Sequence, residues 1–398
     1  MRKGFFVHMP SAFAQLWALD PSLTFLNHGS FGACPSAVLD AQAELRSRLE
    51  RQPLQFLWRD IEAALDKARF RLADFLNADP EGLAFVPNAT TGVNSVLRSL
   101  DLRDGDELLT TDHAYNACRN ALEFVADRSR ASVVVATLPF PIRSADQALE
   151  AIISRAGPRT RLALVDHVTS PTALVLPVDR IVRELAARGI DTLVDGAHGP
   201  GMLPLDLEAL GAAWYTGNCH KWLCSPKSAA FLYAAPLRRA LTRPVVISHG
   251  DRVPRSDRSR FRLEFDWVGT IDPTPYLCVP DAIDFLGGLL DGGLPALMRR
   301  NHELAVAARD MLCARLAQPH PAPDDMLGSM VAVPLPDALS RVPAAELQSH
   351  LLDRHGIEVP VIPWTDGRSL VRVACQLYNT IEQIELLCDA LLDRVSAG

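Results

Sequence analysis

The sequence predicts an α/β fold in which helices flank a mostly parallel sheet, with a smaller α/β unit towards the C-terminal end. Strand-like apolar runs alternate with helical patterns between residues 83 and 233, an order typical of parallel sheets. Polar residues follow several of these runs, where the carboxyl ends of parallel strands would meet. Beyond the turn-forming Asp-Gly-Gly at residues 291–293, the chain has helical and strand patterns of its own.

Composition narrows the classes of function. The 398 residues are 48% hydrophobic and 22% charged, as in ordinary globular proteins, and this length favours a large domain with a smaller one. The net charge of -7 offers no positive field to nucleic acid or to an anionic membrane surface, so neither partner is expected. Small-molecule chemistry is the better prediction.

The cysteines and the N-terminal residues bear on whether the protein is cytoplasmic or secreted. Eight cysteines are scattered without a CxxC pair, a pattern typical neither of a zinc site nor of a disulfide framework, so no metal is expected. His8 and Pro10 interrupt the apolar run that a signal peptide would need, and the N-terminus is interpreted as a mature arm. No apolar segment reaches the roughly 20 residues that cross a bilayer. We expect a soluble, cytoplasmic protein.

Two helices and a tight loop precede the first strand of the sheet. Residues 35–50, which begin at a proline, and residues 61–76 carry apolar side chains at helical spacing. The stretch 25–34, FLNHGSFGAC, has a short apolar start and then a glycine-punctuated turn. That turn carries Asn27, His28 and Ser30. Such loops are more often connections than sites, so these residues alone indicate no function.

A strand, a polar turn and a helix follow one another from residue 83. The run 83–86 is strand-like, the turn reads PNATT, and apolar residues mark one face of a helix beyond it. Free N–H groups at a helix N-terminus, with the hydroxyls of Thr90 and Thr91, could bind a phosphate. Helix capping by the same residue types is the alternative. Taken alone, the stretch favours capping.

Polar clusters stand at the ends of the predicted strands. The further strand-like runs span residues 107–111, 132–137, 162–165 and 192–194, and another apolar run ends before residue 216. The polar residues that follow are His113 and Tyr115; Asp166, His167, Thr169 and Ser170; Asp195 and His198; and Thr216, Asn218, His220 and Lys221. One such residue would be unremarkable, but clusters at successive strand ends predict a cleft with a site.

Asp195 and Lys221 suggest what this site binds. A carboxylate and an amine brought together by two strand ends are what a pyridoxal phosphate site needs. The lysine would hold the cofactor as a Schiff base, and the carboxylate would keep the pyridine nitrogen protonated so that the ring accepts electrons.

The segment after residue 233 is rich in arginine and turns, and the tail beyond it forms the smaller unit. The arginines at positions 252, 255, 258, 260 and 262 are interpreted as a solvated loop, partly balanced by Asp251 and Asp257, with anion attraction as the alternative. Residues 281–290 are predicted to be helical, and residues 369–377 alternate as a half-buried strand that carries Arg372. If Arg372 faces the cleft, its planar fork suits the carboxylate of an amino acid.

Together these stretches resemble the class V aminotransferase-type enzymes of fold type I, which depend on pyridoxal phosphate, and specifically the isopenicillin N epimerase group. Each motif is weak alone, but they follow the family's order over nearly the whole chain. The motifs are FLNHGSFGACP at 25, NATTGVN at 88, TDHAYNA at 111, DHVTSPTALVLPV at 166, VDGAHGPG at 194, GNCHKWLCSPKSAAFL at 217, FDWVGTIDP at 265 and VRVACQLYNT at 371. The resemblance implies an N-terminal arm over residues 1–28 that packs on the small domain, a cofactor-binding large domain over 29–281 and a small domain over 282–398.

The resemblance also implies a role for individual residues. Lys221 is similar to the lysine that binds the cofactor and Asp195 to the acid at the pyridine nitrogen, while His198 would contact the ring oxygen. Tyr115 matches the aromatic residue that stacks on the ring, with His113 as a second candidate. The residues that match the phosphate site are Thr90, Thr91, Asn218 and His220. Thr270 matches a threonine that reaches the phosphate of the neighbouring subunit, which implies a homodimer with shared sites.

Arg372 matches the arginine that binds the substrate carboxylate, and two departures from the family pattern accompany it. Residues 356–369 contain no cysteine where the related cysteine desulfurases carry their nucleophile, so a persulfide-forming desulfurase is not expected. Cys375 is explained better by core packing. Ser228 stands where the family more often has glycine, which bears on the local turn.

The reaction type stays open at this stage. The lysine, once displaced by a substrate, becomes a base at the α carbon. Epimerisation then needs a second acid, for which Tyr115, His28 or a water are candidates, and the nearest family favours it; Asn27 and His28 are expected near the substrate. Elimination at the β carbon and transamination are the alternatives. Two more distant alternatives are a non-catalytic binding protein and a metal hydrolase. The hydrolase would use Asp195, His198, His113 and His167 as metal ligands.

Overall fold

A computed structural model describes residues 11–396, so the first ten residues of the predicted arm lie outside the described part of the chain. The strands are β1 (Thr24–Phe25), β2 (Leu83–Val86), β3 (Glu107–Thr111), β4 (Ser132–Ala136), β5 (Thr160–Asp166), β6 (Asp191–Gly196), β7 (Trp214–Asn218), β8 (Ala230–Ala234), β9 (Met330–Pro334), β10 (Ile357–Glu358), β11 (Val361–Pro363) and β12 (Ser369–Ala374).

Helices precede, separate and follow these strands. They are α1 (His28–Phe31), α2 (Ser36–Arg51), α3 (Ile61–Leu76), α4 (Ala89–Ser99), α5 (Asn116–Ser129), α6 (Ala145–Ile153), α7 (Val178–Ala186), α8 (Leu207–Leu210), α9 (Arg260–Asp266), α10 (Thr274–Leu277), α11 (Val279–Gly287), α12 (Gly293–Leu316), α13 (Asp337–Ser340), α14 (Ala344–His355) and α15 (Ile381–Ser396). The observed bounds of α3 and β2 coincide with the predicted ones.

A seven-stranded sheet forms the centre of the large part of the chain, in the order β2-β8-β7-β6-β5-β3-β4. The pairs from β7 through β6, β5 and β3 to β4 are parallel, whereas β8 runs antiparallel to both β2 and β7. The parallel strands are largely apolar because helices cover the sheet, as in other α/β proteins. The mostly parallel sheet confirms the predicted fold class.

The C-terminal part contains a second sheet of three antiparallel strands, in the order β11-β12-β9. The alternating sequence of β12 predicts a half-buried strand, but all six of its residues are buried. The prediction was wrong because β12 is the central strand and its partners and neighbouring helices cover both faces. Arg372 therefore lies in the interior rather than on a solvated face.

The described part of the N-terminal segment contacts the C-terminal part directly. The two-residue strand β1 pairs in parallel with β10, and the N–H of Ala374 donates to the carbonyl of Leu26. One hydrophobic cluster includes residues from both sides of position 281, among them Leu72 and Val331. The arm and the domain boundaries remain predictions that these contacts fit.

The arginine-rich segment is solvated at Arg252, Arg255 and Arg260, as predicted, but not at Arg258 and Arg262. Arg262 is only 4% exposed and pairs with Asp66, Glu81 and Asp266, while Arg258 also binds Asp66. These ion pairs join α9 to α3 across the surface of the sheet. The buried Arg262 thus links α9 to α3, whereas the exposed arginines of the segment have no such role.

A search of the helices within residues 11–396 finds none that is long and apolar enough to cross a membrane.

Candidate active site

A cavity of about 830 Å³ lies where the carboxyl ends of β5, β6 and β7 meet the N-terminal end of α4. The predicted residues that line it are Thr90, Thr91, Tyr115, Asp195, His198, Asn218, His220 and Lys221. Parallel strands place their carboxyl ends at one edge of a sheet, which explains why clusters so far apart in the sequence share one cavity.

The N-terminal end of α4 forms one end of the cavity. The side chain of Asn88 caps the helix by accepting the N–H of Thr91 at 2.9 Å, and the side chain of Asn218 accepts the N–H of Ala89 at 2.9 Å. Capping thus accounts for the role of Asn88 in this turn, yet Thr90 and Thr91 still line the cavity. An anion placed here would meet the positive end of an 11-residue helix.

Asp195 lies at the end of β6 and is 3% exposed. Its carboxyl group accepts the backbone N–H of Ala197 at 3.0 Å and the thiol of Cys118 at 3.1 Å. Burial raises the pKa of Asp195, whereas these two donors and the nearby Lys221 act to lower it. A cation beside this carboxyl group would stabilise its ionised form.

Lys221 and His198 face each other across the cavity. Lys221 Nζ lies 3.1 Å from His198 Nε2, and the indole N–H of Trp222 donates to His198 Nδ1 at 3.2 Å. Because Nδ1 accepts this bond, neutral His198 carries its proton on Nε2 and can donate it only to an unprotonated amine. Burial, and then the charge of Arg372, lower the pKa of Lys221 to about 8. The site therefore makes the free, nucleophilic amine accessible at a lower pH than that of an ordinary lysine.

His220 and Tyr115 complete the walls of the cavity. Nδ1 of His220 bonds to the carbonyl of Ala229 at 2.9 Å, and burial lowers the pKa of His220 to about 4. Its Nε2 is then an acceptor, so His220 can bind a phosphate only if the phosphate stabilises the protonated imidazole. Tyr115 caps α5 and is 45% exposed, which leaves its ring available to a ligand.

Arg372 approaches the cavity from β12. It is 5% exposed and donates to Ser170, to the carbonyl oxygen at 2.5 Å and to the hydroxyl at 3.2 Å, and to the hydroxyl of Ser30 at 3.1 Å. Ser30 and Ser170 both line the cavity. Among the residues whose side chains the structure describes, no carboxylate pairs with Arg372, and its Nε is buried without a partner. A buried guanidinium held only by neutral groups is suited to bind an anion.

Five predicted site residues are not part of the cavity lining. Arg372 is one of them, since it contacts the cavity only through Ser30 and Ser170. His28 is fully buried and bonds to Tyr378 at 2.7 Å and to the carbonyl of Lys221 at 3.0 Å, so it supports the lysine's backbone rather than a substrate. Asn27 donates to Glu358 and accepts from the hydroxyl of Ser30. Because Ser30 in turn accepts from Arg372, Asn27 is linked to Arg372 only through Ser30. The others are His113, which bonds to Thr172, and Thr270, which is exposed outside the cavity. The expected substrate contact of Asn27 and His28 is corrected accordingly.

Phe31 and Lys227 line the cavity, although the sequence did not single them out. Phe31 is 74% exposed. In the sequence, the only indication of its position was an aromatic residue next to a glycine in the stretch 28–32. Gly32 has a φ of +71°, and a Cβ atom there would lie 2.0 Å from the carbonyl oxygen of His220. Ser228 has a φ of 72°, which explains why glycine suits this position.

The lowered pKa of Lys221 makes a pH dependence testable. The amine is protonated and unreactive below about pH 8 and free above it. In the cofactor-free enzyme, the rate of covalent capture of pyridoxal phosphate should rise with pH and level off above about 8. In Arg372→Ala the rise should move to higher pH, since Arg372 lowers the pKa of this amine. Stopped-flow absorbance measures both profiles, and an unshifted profile in the variant would contradict the coupling.

The residues around the cavity fit a bound cofactor. Asp166, whose Oδ2 is buried without a partner, lines a cavity within the range of roughly 300–1,000 Å³ that ligand sites occupy. An amine, a buried acid and a helix N-terminus surround one cavity at the carboxyl edge of the sheet. This fold and site define the class of pyridoxal phosphate enzymes of fold type I.

The chain belongs to the class V aminotransferase family. The family described as Aminotransferase class-V matches residues 33–387. An isopenicillin N epimerase of Amycolatopsis lactamdurans is 40% identical over 94% of this chain and 96% of its own. A probable chloroplastic L-cysteine desulfhydrase of Arabidopsis thaliana is 32% identical over 95% of this chain and 84% of its own.

A solved structure supports the fold. A C-DES mutant with glycine covalently linked to its PLP cofactor superimposes with a TM-score of 0.77, at 22% identity, over 93% of this chain and 96% of that chain. The family membership confirms the predicted class: the chain is an enzyme of a pyridoxal phosphate-dependent family.

The candidate ligands of the metal-hydrolase alternative do not come together. Within residues 11–396, no three His, Cys, Asp or Glu side chains are grouped so as to hold a metal ion. Lys221 and the end of α4, which that alternative leaves unexplained, instead face the same cavity.

Proposed function

We propose that this enzyme inverts the configuration at the α carbon of an amino acid or of an amino-acid-containing peptide. The observation that carries the proposal is that two side chains able to move protons, Lys221 and Tyr115, line one cavity, and that Arg372 donates to Ser30 and Ser170 in the wall of that cavity. The 40% identity with an isopenicillin N epimerase over nearly the whole chain supports the same reaction class.

Pyridoxal phosphate, when bound, supplies an electron sink that stabilises negative charge at the α carbon of an amino acid. Asp195 would face the ring nitrogen, and the end of α4 with Thr90, Thr91 and Asn218 would hold the phosphate. Lys221 would attach the cofactor and, once released, act as a base at the α carbon. His198, whose tautomer Trp222 fixes, can donate its Nε2 proton to the amine when the amine is unprotonated.

Inversion requires a proton on the opposite face of the α carbon. Of the candidates from the sequence, His28 is enclosed by Tyr378, Trp222 and the backbone of Lys221, whereas Tyr115 borders the cavity and is half exposed. We therefore assign Tyr115 as the second acid, in addition to its expected contact with the ring. Arg372 would fix the substrate carboxylate so that the α carbon lies between the two groups.

Elimination at the β carbon of a cysteine-type substrate is the second candidate. The 32% identity with a probable L-cysteine desulfhydrase favours it, and this reaction needs a base and a leaving group but no second acid. A persulfide on the enzyme is not part of it, because residues 356–369 contain no cysteine and Cys375 is fully buried in the core. Transamination, with the proton returned to the cofactor, is the third.

Product analysis in deuterated water tests the proposal. Incubation with single amino acids and short peptides should give α-deuterated product of inverted configuration. Tyr115→Phe should still exchange the α proton but return it on the original face, since only the second acid is lost. Chiral chromatography with mass spectrometry measures both results. Pyruvate with ammonia would instead establish the lyase, and cofactor left in the pyridoxamine form would establish an aminotransferase.

We further propose that the enzyme is a homodimer with shared sites. Thr270 is exposed and lies outside its own cavity, as a residue that reaches a partner's phosphate must. Exposed apolar side chains, including Val246 at 52% and Ile271 at 42%, accompany it. Sedimentation of the purified protein at the mass of a single chain would contradict this proposal.

A further inference from the structure

Asp166 is a second buried carboxyl group beside Asp195, and the proposed chemistry gives it no role. The two residues are register partners at the ends of the parallel strands β5 and β6. They are 4% and 3% exposed, and both line the cavity. Paired residues of adjacent parallel strands point to the same face, with backbones about 4.8 Å apart, so the two carboxyl groups are neighbours.

The hydrogen bonds of the two groups are unequal. Each oxygen of Asp195 has a donor, the N–H of Ala197 on one and the thiol of Cys118 on the other. By contrast, Oδ2 of Asp166 is buried without a partner. An ionised carboxylate would leave this oxygen uncompensated, which is costly in the interior. A proton on it would turn the orphaned acceptor into a donor.

The charges around the two carboxyl groups also favour a proton on Asp166. Two adjacent buried carboxyl groups do not both ionise readily, so one of them retains a proton. Burial and the charge of Asp195 raise the pKa of Asp166 well above its usual range, against the opposing effects of the Tyr115 backbone N–H and of Lys221. The other titratable neighbours are Cys118 and Tyr215, whose pKa values burial also raises, so they remain neutral donors.

We propose that Asp166 is a positioning residue that keeps one proton at neutral pH and thereby makes Asp195 the single anion available to the cofactor's ring nitrogen. This inference rests on the proposed role of Asp195. A neutral Asp166 removes the repulsion that a second anion would create. The ring nitrogen then meets one carboxylate with two fixed donors behind it.

Infrared difference spectroscopy of the holoenzyme tests the proposal. The native protein should show the C=O band of a protonated carboxyl group, and Asp166→Asn should lack it. Because asparagine is neutral and similar in shape, its cofactor absorption maximum should be unchanged and its dissociation constant for pyridoxal phosphate should change by less than about threefold. If the asparagine variant does not fold, Asp166→Ser replaces it, and this variant should also lack the band.

Two results would overturn the proposal. One is a carboxyl band that persists in Asp166→Asn, and the other is loss of the band together with a shifted cofactor absorption maximum, which would place the proton on Asp195. Asp195→Asn separates this failure from failure of the proposed site. If that variant binds the cofactor as tightly as the native enzyme, Asp195 is not the ring-nitrogen partner, whatever the state of Asp166.

Discussion

Replacement of Lys221 by alanine should lower kcat by about 10³-fold or more and abolish the visible absorption of the covalently bound cofactor. The physical reason is specific to this amine. Its Nζ lies 3.1 Å from a histidine whose tautomer is fixed by Trp222, and burial lowers its pKa to about 8. Loss of the side chain removes both the attachment point and the base.

Lys227→Ala is the matched control for this experiment. Lys227 also lines the cavity, but its side chain has no partner of the kind that Lys221 has in His198. The control should retain the visible band and its covalent attachment to Lys221, which peptide mass mapping after borohydride reduction detects. Attachment that persists in Lys221→Ala, or vanishes in the Lys227 variant, would contradict the assignment of Lys221.

Replacement of Arg372 by alanine should raise KM about 100-fold, with the cofactor's absorption retained. Arg372 has no carboxylate partner within the described residues and is held by Ser30 and Ser170, so a substrate carboxylate would be its one full charge partner. A charge-assisted bidentate bond contributes about 3 kcal/mol, which corresponds to this factor. Steady-state kinetics with spectra of the same samples measure both.

Two further variants sharpen the interpretation of the Arg372 result. Arg372→Lys should recover only part of the affinity, because an ammonium group cannot form the planar pair of bonds. Arg252→Ala serves as a control, since that arginine is 91% exposed and outside the cavity, and its KM should not change. An unchanged KM in Arg372→Ala would show that the carboxylate binds elsewhere.

Several elements could be predicted closely from the sequence because local patterns determine them. The helical spacing of apolar residues gave the bounds of α3, and the apolar run before PNATT gave β2. Most residues of the cavity wall could be predicted from the polar residues that follow the strands, because the carboxyl ends of parallel strands lie at one edge of the sheet. The resemblance added roles to those residues, which remain proposals until the variants are measured.

Other features depend on which strand lies beside which. The antiparallel β8 between β2 and β7 has no local signature, and β12 is buried on both faces only because β9 and β11 flank it. His28 was one candidate for the second acid, yet its ring packs against Tyr378 and Trp222. The position of the His28 ring therefore depends on the direction of the backbone and not on the residue type.

The sequence by itself determined the α/β fold class, the lysine and acid at two strand ends and the arginine in the smaller part of the chain. Only the tertiary structure decided that Arg372 has no carboxylate partner among the described side chains, that His28 bonds to Tyr378 outside the cavity lining and that Asp166 lies beside Asp195. The physical reason is that apolar periodicity is local, whereas strand neighbours, register and side-chain direction arise from contacts between residues far apart in the sequence.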